Sequence, residues 1–81
     1  MQRPWPPEGG IVVNRTYAVT EIVGTSSEGV DAAIRSAVSR ASETIGKVDW
    51  FEVVQVRGYV RDGDVDHFQV TIKVGARLED S

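Results

Sequence analysis

The segment Asp49-Trp50-Phe51-Glu52-Val53-Val54-Gln55-Val56-Arg57-Gly58-Tyr59-Val60-Arg61-Asp62-Gly63-Asp64-Val65-Asp66-His67-Phe68-Gln69-Val70-Thr71-Ile72-Lys73-Val74-Gly75-Ala76-Arg77-Leu78-Glu79 decides the fold. Both of its arms are rich in β-branched and aromatic residues, the composition of strands. Asp62-Gly63 between them signals a two-residue hairpin turn, in which both central residues adopt positive φ. In the second arm Phe68, Val70, Ile72, Val74, Ala76 and Leu78 alternate with His67, Gln69, Thr71, Lys73 and Arg77. The first arm does not alternate so cleanly. Trp50, Val54 and Val56 fall on one side, and Phe51 and Val53 on the other. A strand with one solvated face should separate apolar from polar residues, so the surplus marks an interaction surface. It is expected on the second face of the sheet, around Trp50.

Upstream, Thr16-Tyr17-Ala18-Val19-Thr20-Glu21-Ile22-Val23 reads as a further strand, stopped by Gly24. Thr25-Ser26-Ser27-Glu28 has the form of a capping box, with the Thr25 hydroxyl and the Glu28 carboxylate reaching each other's backbone N–H. Val30, Ala33, Ile34, Ala37, Val38, Ala41 and Ile45 then recur at spacings of three and four, which predicts a helix over about 26–45. Gly46 is placed for a left-handed C-cap. Three alanines on the buried stripe predict close approach of sheet and helix. The fold class is therefore α+β with the order β-α-β-β, a three-stranded sheet and one helix.

Residues 1–10 hold all three prolines, and residues 1–14 are expected to form a Pro/Gly-rich tail ahead of a domain over 15–81. The 81 residues allow one core. Chains this short usually need disulfides, a metal or association. No cysteine and one histidine, His67, leave association. Nine basic against twelve acidic residues, with arginines dispersed, argue against nucleic-acid binding. The longest apolar runs are three residues, such as Ile11-Val12-Val13, far short of the roughly 18 needed to cross a membrane. With no signal-type h-region, the expected address is cytoplasmic.

For chemistry the inventory is thin: no nucleophile–base set, no phosphate loop and no metal-ligand spacing. Asp62, Asp64 and Asp66 at the hairpin tip read as a solvated turn rather than a calcium loop, and His67 as a surface residue. Gly24-Thr25-Ser26-Ser27 has the alternative of anion binding at a helix start. Trp50 is either packing or a stacking platform for a flat aromatic ligand. Gln69 offers a carboxamide that both donates and accepts. A two-residue loop pairs 56 with 69 and 50 with 75, putting Trp50 and Gln69 on one face; a three-residue loop puts them on opposite faces.

Glu21-Ile22-Val23-Gly24-Thr25-Ser26, the helix, Asp49-Trp50-Phe51-Glu52-Val53, Val56-Arg57-Gly58, Phe68-Gln69-Val70 and Val74-Gly75-Ala76-Arg77-Leu78-Glu79 together resemble the dodecin family, bacterial type, from about Thr16 to Asp80. The resemblance implies a three-stranded antiparallel sheet wrapped around one helix, assembled as a shell of twelve identical subunits. It implies a non-enzymatic protein that stores or buffers flavin and quenches its photochemistry. The implied ligand is FMN, with riboflavin or FAD as alternatives and coenzyme A as a further candidate. By position, Trp50 matches the tryptophan that stacks on the isoalloxazine ring and Gln69 the glutamine that hydrogen-bonds it. Arg57 and Arg77 match arginines that serve the ligand's phosphate or neighbouring subunits, and Asp49 helps shape the pocket. Two features depart from the pattern: Ala76 stands where the family commonly has phenylalanine, and the N-terminal tail is longer. The alternative function is a structural oligomer or partner-binding module of this fold that has lost flavin binding.

Overall fold

The computed structural model describes residues 14–78, so the expected tail lies outside the described residues but for Asn14. The order is β1 (Tyr17–Ser26), α1 (Val30–Thr44), β2 (Val48–Arg61) and β3 (Asp64–Arg77). The sheet runs β1-β3-β2, antiparallel throughout. This is the expected α+β arrangement. β3, flanked on both sides, carries the core: Val70, Ile72, Val74 and Ala76 are buried against the helix side. Ala33, Ala37 and Ala41 meet them, with Ile22, Val30, Ile34, Val38 and Val48 packed around.

The small residues set the helix-to-sheet distance, as the alanine stripe predicts. A Cβ added at Gly24 would fall on the Ala33 carbonyl oxygen and lie 2.9 Å from the Ala37 Cβ. Ala76 is 4% exposed on this same side of the sheet, between Ala18 and Val48 in register. The missing aromatic therefore concerns the core, not the opposite face.

The helix starts later than the sequence suggests. Thr25 and Ser26 remain in β1, paired with Gln69 and Phe68. Thr25 is thereby committed to the strand ladder and forms no capping box. The helix begins after Gly29, without a side-chain cap. The Ser26 hydroxyl accepts the Glu28 N–H at 3.0 Å instead. At the other end Ile45 N–H donates to the Ala41 carbonyl at 2.7 Å, and Gly46 takes the expected left-handed conformation, φ 114°.

Arg61 pairs with Asp64, so the hairpin loop has two residues. Asp62 and Gly63 both have positive φ, 53° and 78°, as a type I′ turn requires. Trp50 pairs with Gly75 as expected, but Val56 pairs with Val70 rather than position 69. The cause is two bulges that cancel: Asp66 is the extra residue on β3, and Val54 the extra residue on β2. A third bulge falls at Asp49.

Those bulges correct the expectation of a second apolar face around Trp50. Past Val54 the strand changes phase, so Val48, Phe51, Val53 and Val56 all pair with helix-side residues of β3. The outer row reads Trp50, Glu52, Gln55, Arg57, Tyr59 and is mostly polar. On β2 the uncovered apolar surface lies on the helix side, where Phe51 (46%), Val53 (42%) and Val56 (50%) stay exposed because α1 does not reach across the strand, while on the outer face Val19 and Val23 of β1 are exposed. The radius of gyration, 15.4 Å, exceeds the roughly 11–12 Å of a compact domain of this length. A single chain is a flat, half-covered sheet.

Gly24→Ala is expected to destabilise the protein by about 1–3 kcal/mol through overpacking against the Ala33 carbonyl. Gly58→Ala, with open space around it, is the control and should have little effect. Urea unfolding at one fixed protein concentration compares them.

Candidate ligand-binding site

All five residues singled out in the sequence lie at or beside the outer face, away from the helix. Cross-strand partners share a face, and β3 runs without a bulge from Gln69 to Gly75. Trp50 and Gln69 are therefore on one side, as the two-residue loop requires.

Trp50 stands at the start of β2, half-buried. Its partner Gly75 is the reason it can lie down: a Cβ there would sit inside the indole ring. Glycine within a strand often marks such a close approach, a signal the sequence reading did not use. Tyr17, on the far strand, meets the indole edge-on, centroids 6.1 Å apart and planes at 61°. Its hydroxyl donates to Asp49 Oδ2 at 3.2 Å. Arg77 Nε lies 3.8 Å from the same oxygen. The bulge at Asp49 frees its carboxylate for these two partners. Asp49, Trp50 and Arg77 thus form one cluster, to which Tyr17 and Gly75 belong although sequence reasoning did not assign them.

Gln69 belongs to a second cluster. Arg57 is its cross-strand partner, exposed, with Nη2 3.5 Å from Gln55 Oε1. The Tyr59 hydroxyl donates to Gln69 Oε1 at 3.2 Å. Tyr59 also stacks on His67, so that histidine is not a free surface residue. Gln69 and Gly75 are six positions apart on β3, about 20 Å at roughly 3.3 Å per residue. One chain therefore does not bring Trp50 and Gln69 within reach of a single fused-ring ligand.

The chemistry of the donor set fits a flavin: a flat indole on a glycine floor, a carboxamide, and two guanidiniums for an anionic group. Among the described residues no group of three or more His, Asp or Glu is placed to hold a metal. At the hairpin tip Asp64 accepts the Val65 N–H and Asp66 engages His67 and Arg61, which is a turn rather than an ion site. Two open grooves flank the helix. One, about 340 Å³, is lined by Ile34, Val38 and Phe51; the other, about 430 Å³, by Ile22, Ala37, Ala41 and Ile45. Neither touches Trp50 or Gln69. No helix among the described residues is long and apolar enough to cross a membrane.

Known proteins share this arrangement. The Dodecin family profile matches residues 16–79. A dodecin of Thermus thermophilus is 44% identical over 69 residues, 85% of this chain and all of its own. The solved dodecin from Streptomyces davaonensis superimposes with a TM-score of 0.80 at 60% identity, covering 84% of this chain and all of that one. That from Streptomyces coelicolor gives 0.79 at 61%, covering 86% and 100%. Crystal structures of the Thermus thermophilus dodecin also include variants with one tryptophan changed to phenylalanine and, separately, two arginines changed to alanine, spaced seven and then twenty residues apart. Profile, sequence and fold agree over the same four-fifths of the molecule: the chain belongs to the dodecin family.

Proposed function

We propose that the protein binds flavin without catalysing a reaction, FMN in first place with riboflavin or FAD as alternatives, and stores it in a cytoplasmic shell of twelve copies. The observation that carries this reading is Trp50 lying on Gly75 at the open face of the sheet. The indole covers the bare glycine backbone and stays half-buried at the outer face, a flat surface on which a ring can stack. The altered tryptophan and arginines of the Thermus thermophilus variants have the separations of Trp50, Arg57 and Arg77, which supports the same three positions here.

In this reading each residue has a physical task. Trp50 stacks on the ligand's ring system. Indole is a ready electron donor, so its contact with the ring quenches the ligand's excited state and limits photochemistry. A bound flavin supplies the redox-active ring and, as FMN, a phosphate. Gln69 from another copy hydrogen-bonds the ring edge. Asp49 holds Tyr17 and Arg77, and through them the indole's surroundings. Arg57 and Arg77 serve the phosphate or the adjoining subunit.

Titration with the protein is expected to quench FMN fluorescence, with scattering mass and flavin absorbance coinciding in one chromatographic peak near twelve chains. Trp50→Ala should lose most of the quenching. Gly75→Ala should lose much of it as well, although the tryptophan remains, because the indole is lifted from its floor. Unchanged FMN fluorescence at high protein concentration overturns the reading.

The two tasks of the arginines separate by ligand. An arginine that holds phosphate contributes about 1.5–3 kcal/mol through charged hydrogen bonds. Its replacement by alanine should weaken FMN by roughly tenfold or more and leave riboflavin unchanged. An arginine at the subunit contact should instead weaken both ligands alike and lower the assembled mass.

A further inference from the structure

We propose that Tyr59 is the positioning residue of Gln69, turning the amide nitrogen rather than the carbonyl oxygen toward the ligand; the proposal rests on the flavin reading above and names how its carboxamide is set. Tyr59 and His67 are cross-strand partners, with ring centroids 4.7 Å apart and planes 18° from parallel. His67 is held in turn, its Nδ1 lying 2.6 Å from Asp66 Oδ2. The other Asp66 oxygen lies 3.5 Å from Arg61 Nε. The extra residue at Asp66 places these groups beside each other, so the bulge, the ion pair and the stack form one support. That support fixes the phenol ring, and its hydroxyl donates to Gln69 Oε1 at 3.2 Å.

A carboxamide carries two donors and one acceptor group, and on an open strand either end can face outward. With Oε1 engaged by Tyr59, the free end is the NH₂ group. The ligand atom it meets is then an acceptor, a ring carbonyl oxygen or an unprotonated ring nitrogen, and not an N–H.

Riboflavin is the probe, because it lacks the phosphate and leaves the arginines out of the comparison. Fluorescence titrations compare the wild type with Tyr59→Phe, Gln69→Ala, the double variant and Gln69→Glu. Tyr59→Phe keeps the stack and removes only the hydroxyl. It is expected to weaken riboflavin by about threefold to tenfold, and to add nothing further in the Gln69→Ala background, since the two act through one bond. Gln69→Glu, an acceptor-only side chain, should lose at least as much affinity as Gln69→Ala. A Tyr59→Phe loss of equal size in both backgrounds, no loss at all, or full binding by Gln69→Glu overturns the proposal. Without ligand, the protein with ¹⁵N-labelled glutamine offers a second readout. It has only three glutamines, Gln2, Gln55 and Gln69. The Gln69 side-chain amide signal, identified by its disappearance in Gln69→Ala, should shift in Tyr59→Phe; an unmoved signal overturns the proposal. Absence of quenching by the wild type sinks the flavin reading alone, while the amide signal still decides whether Tyr59 holds Gln69.

Discussion

A helix of fifteen residues is about 22 Å long, and the two strands of the hairpin, fourteen residues each, extend about 46 Å. The rest of the molecule follows from this mismatch. The helix seats itself where it can come closest, over β1 and β3, because Gly24 and the Ala33–Ala37 stripe permit backbone-level approach there. Val70, Ile72 and Val74 are fully buried as a result. β2 receives almost no cover. Phe51, Val53 and Val56 lie on the correct side of the sheet for burial and yet remain about half exposed. A chain of this size needs those side chains out of water, since its core is small to begin with. The bare apolar strip is thus a consequence of how far one helix reaches.

The bulges decide what each face is made of. Without the extra residue at Val54, the row that begins with Trp50 would continue through Val54 and Val56, and the outer face would be a broad apolar patch. With it, Val56 rejoins the helix side and the outer row of β2 keeps Trp50 and Tyr59 among polar neighbours. The Asp66 bulge restores the register, so Trp50 still meets Gly75. It also sets Asp66 and His67 next to Arg61 and Tyr59. Two small irregularities of pairing therefore separate an apolar row of β2 from a mostly polar one.

Much of this was legible in the sequence, for identifiable reasons. The alternation along β3, the Asp62-Gly63 turn and the three-and-four spacing of the helix are local patterns, and each appears where it was expected but for the later helix start. The shared face of Trp50 and Gln69 followed from loop length. The apolar excess of β2 was read as an interaction surface and placed on the wrong face, because alternation counts residues and a bulge adds one without a compositional mark. The capping box failed for a related reason: Thr25 and Ser26 have two uses, and pairing with Gln69 and Phe68 prevailed over capping. Tyr17 and Tyr59 were invisible as site residues. Their roles come from partners 32 and 10 positions away, which only the register brings together. Gly75 was present in the sequence as a strand glycine opposite a tryptophan, a signal that becomes specific once the pairing is known.

In the proposed reading, separation of the two clusters ties assembly to binding. If a ligand contacts Trp50 of one copy and Gln69 of another, it has affinity for the assembled state and little for the free chain. Mass action then makes ligand a stabiliser of the assembly by RT ln(1 + [L]/Kd), about 2.7 kcal/mol at a hundredfold excess over Kd. The converse holds equally: the apolar strip on β2 lies on the opposite side of the sheet from Trp50, so burying it between copies favours binding without touching the ligand. A substitution at Phe51 and one at Trp50 would then both reduce ligand uptake, the first by way of assembly and the second by direct contact. Only the first would do so more severely as the protein is diluted. In that reading the short helix, by leaving β2 bare, would make the binding site depend on subunit concentration.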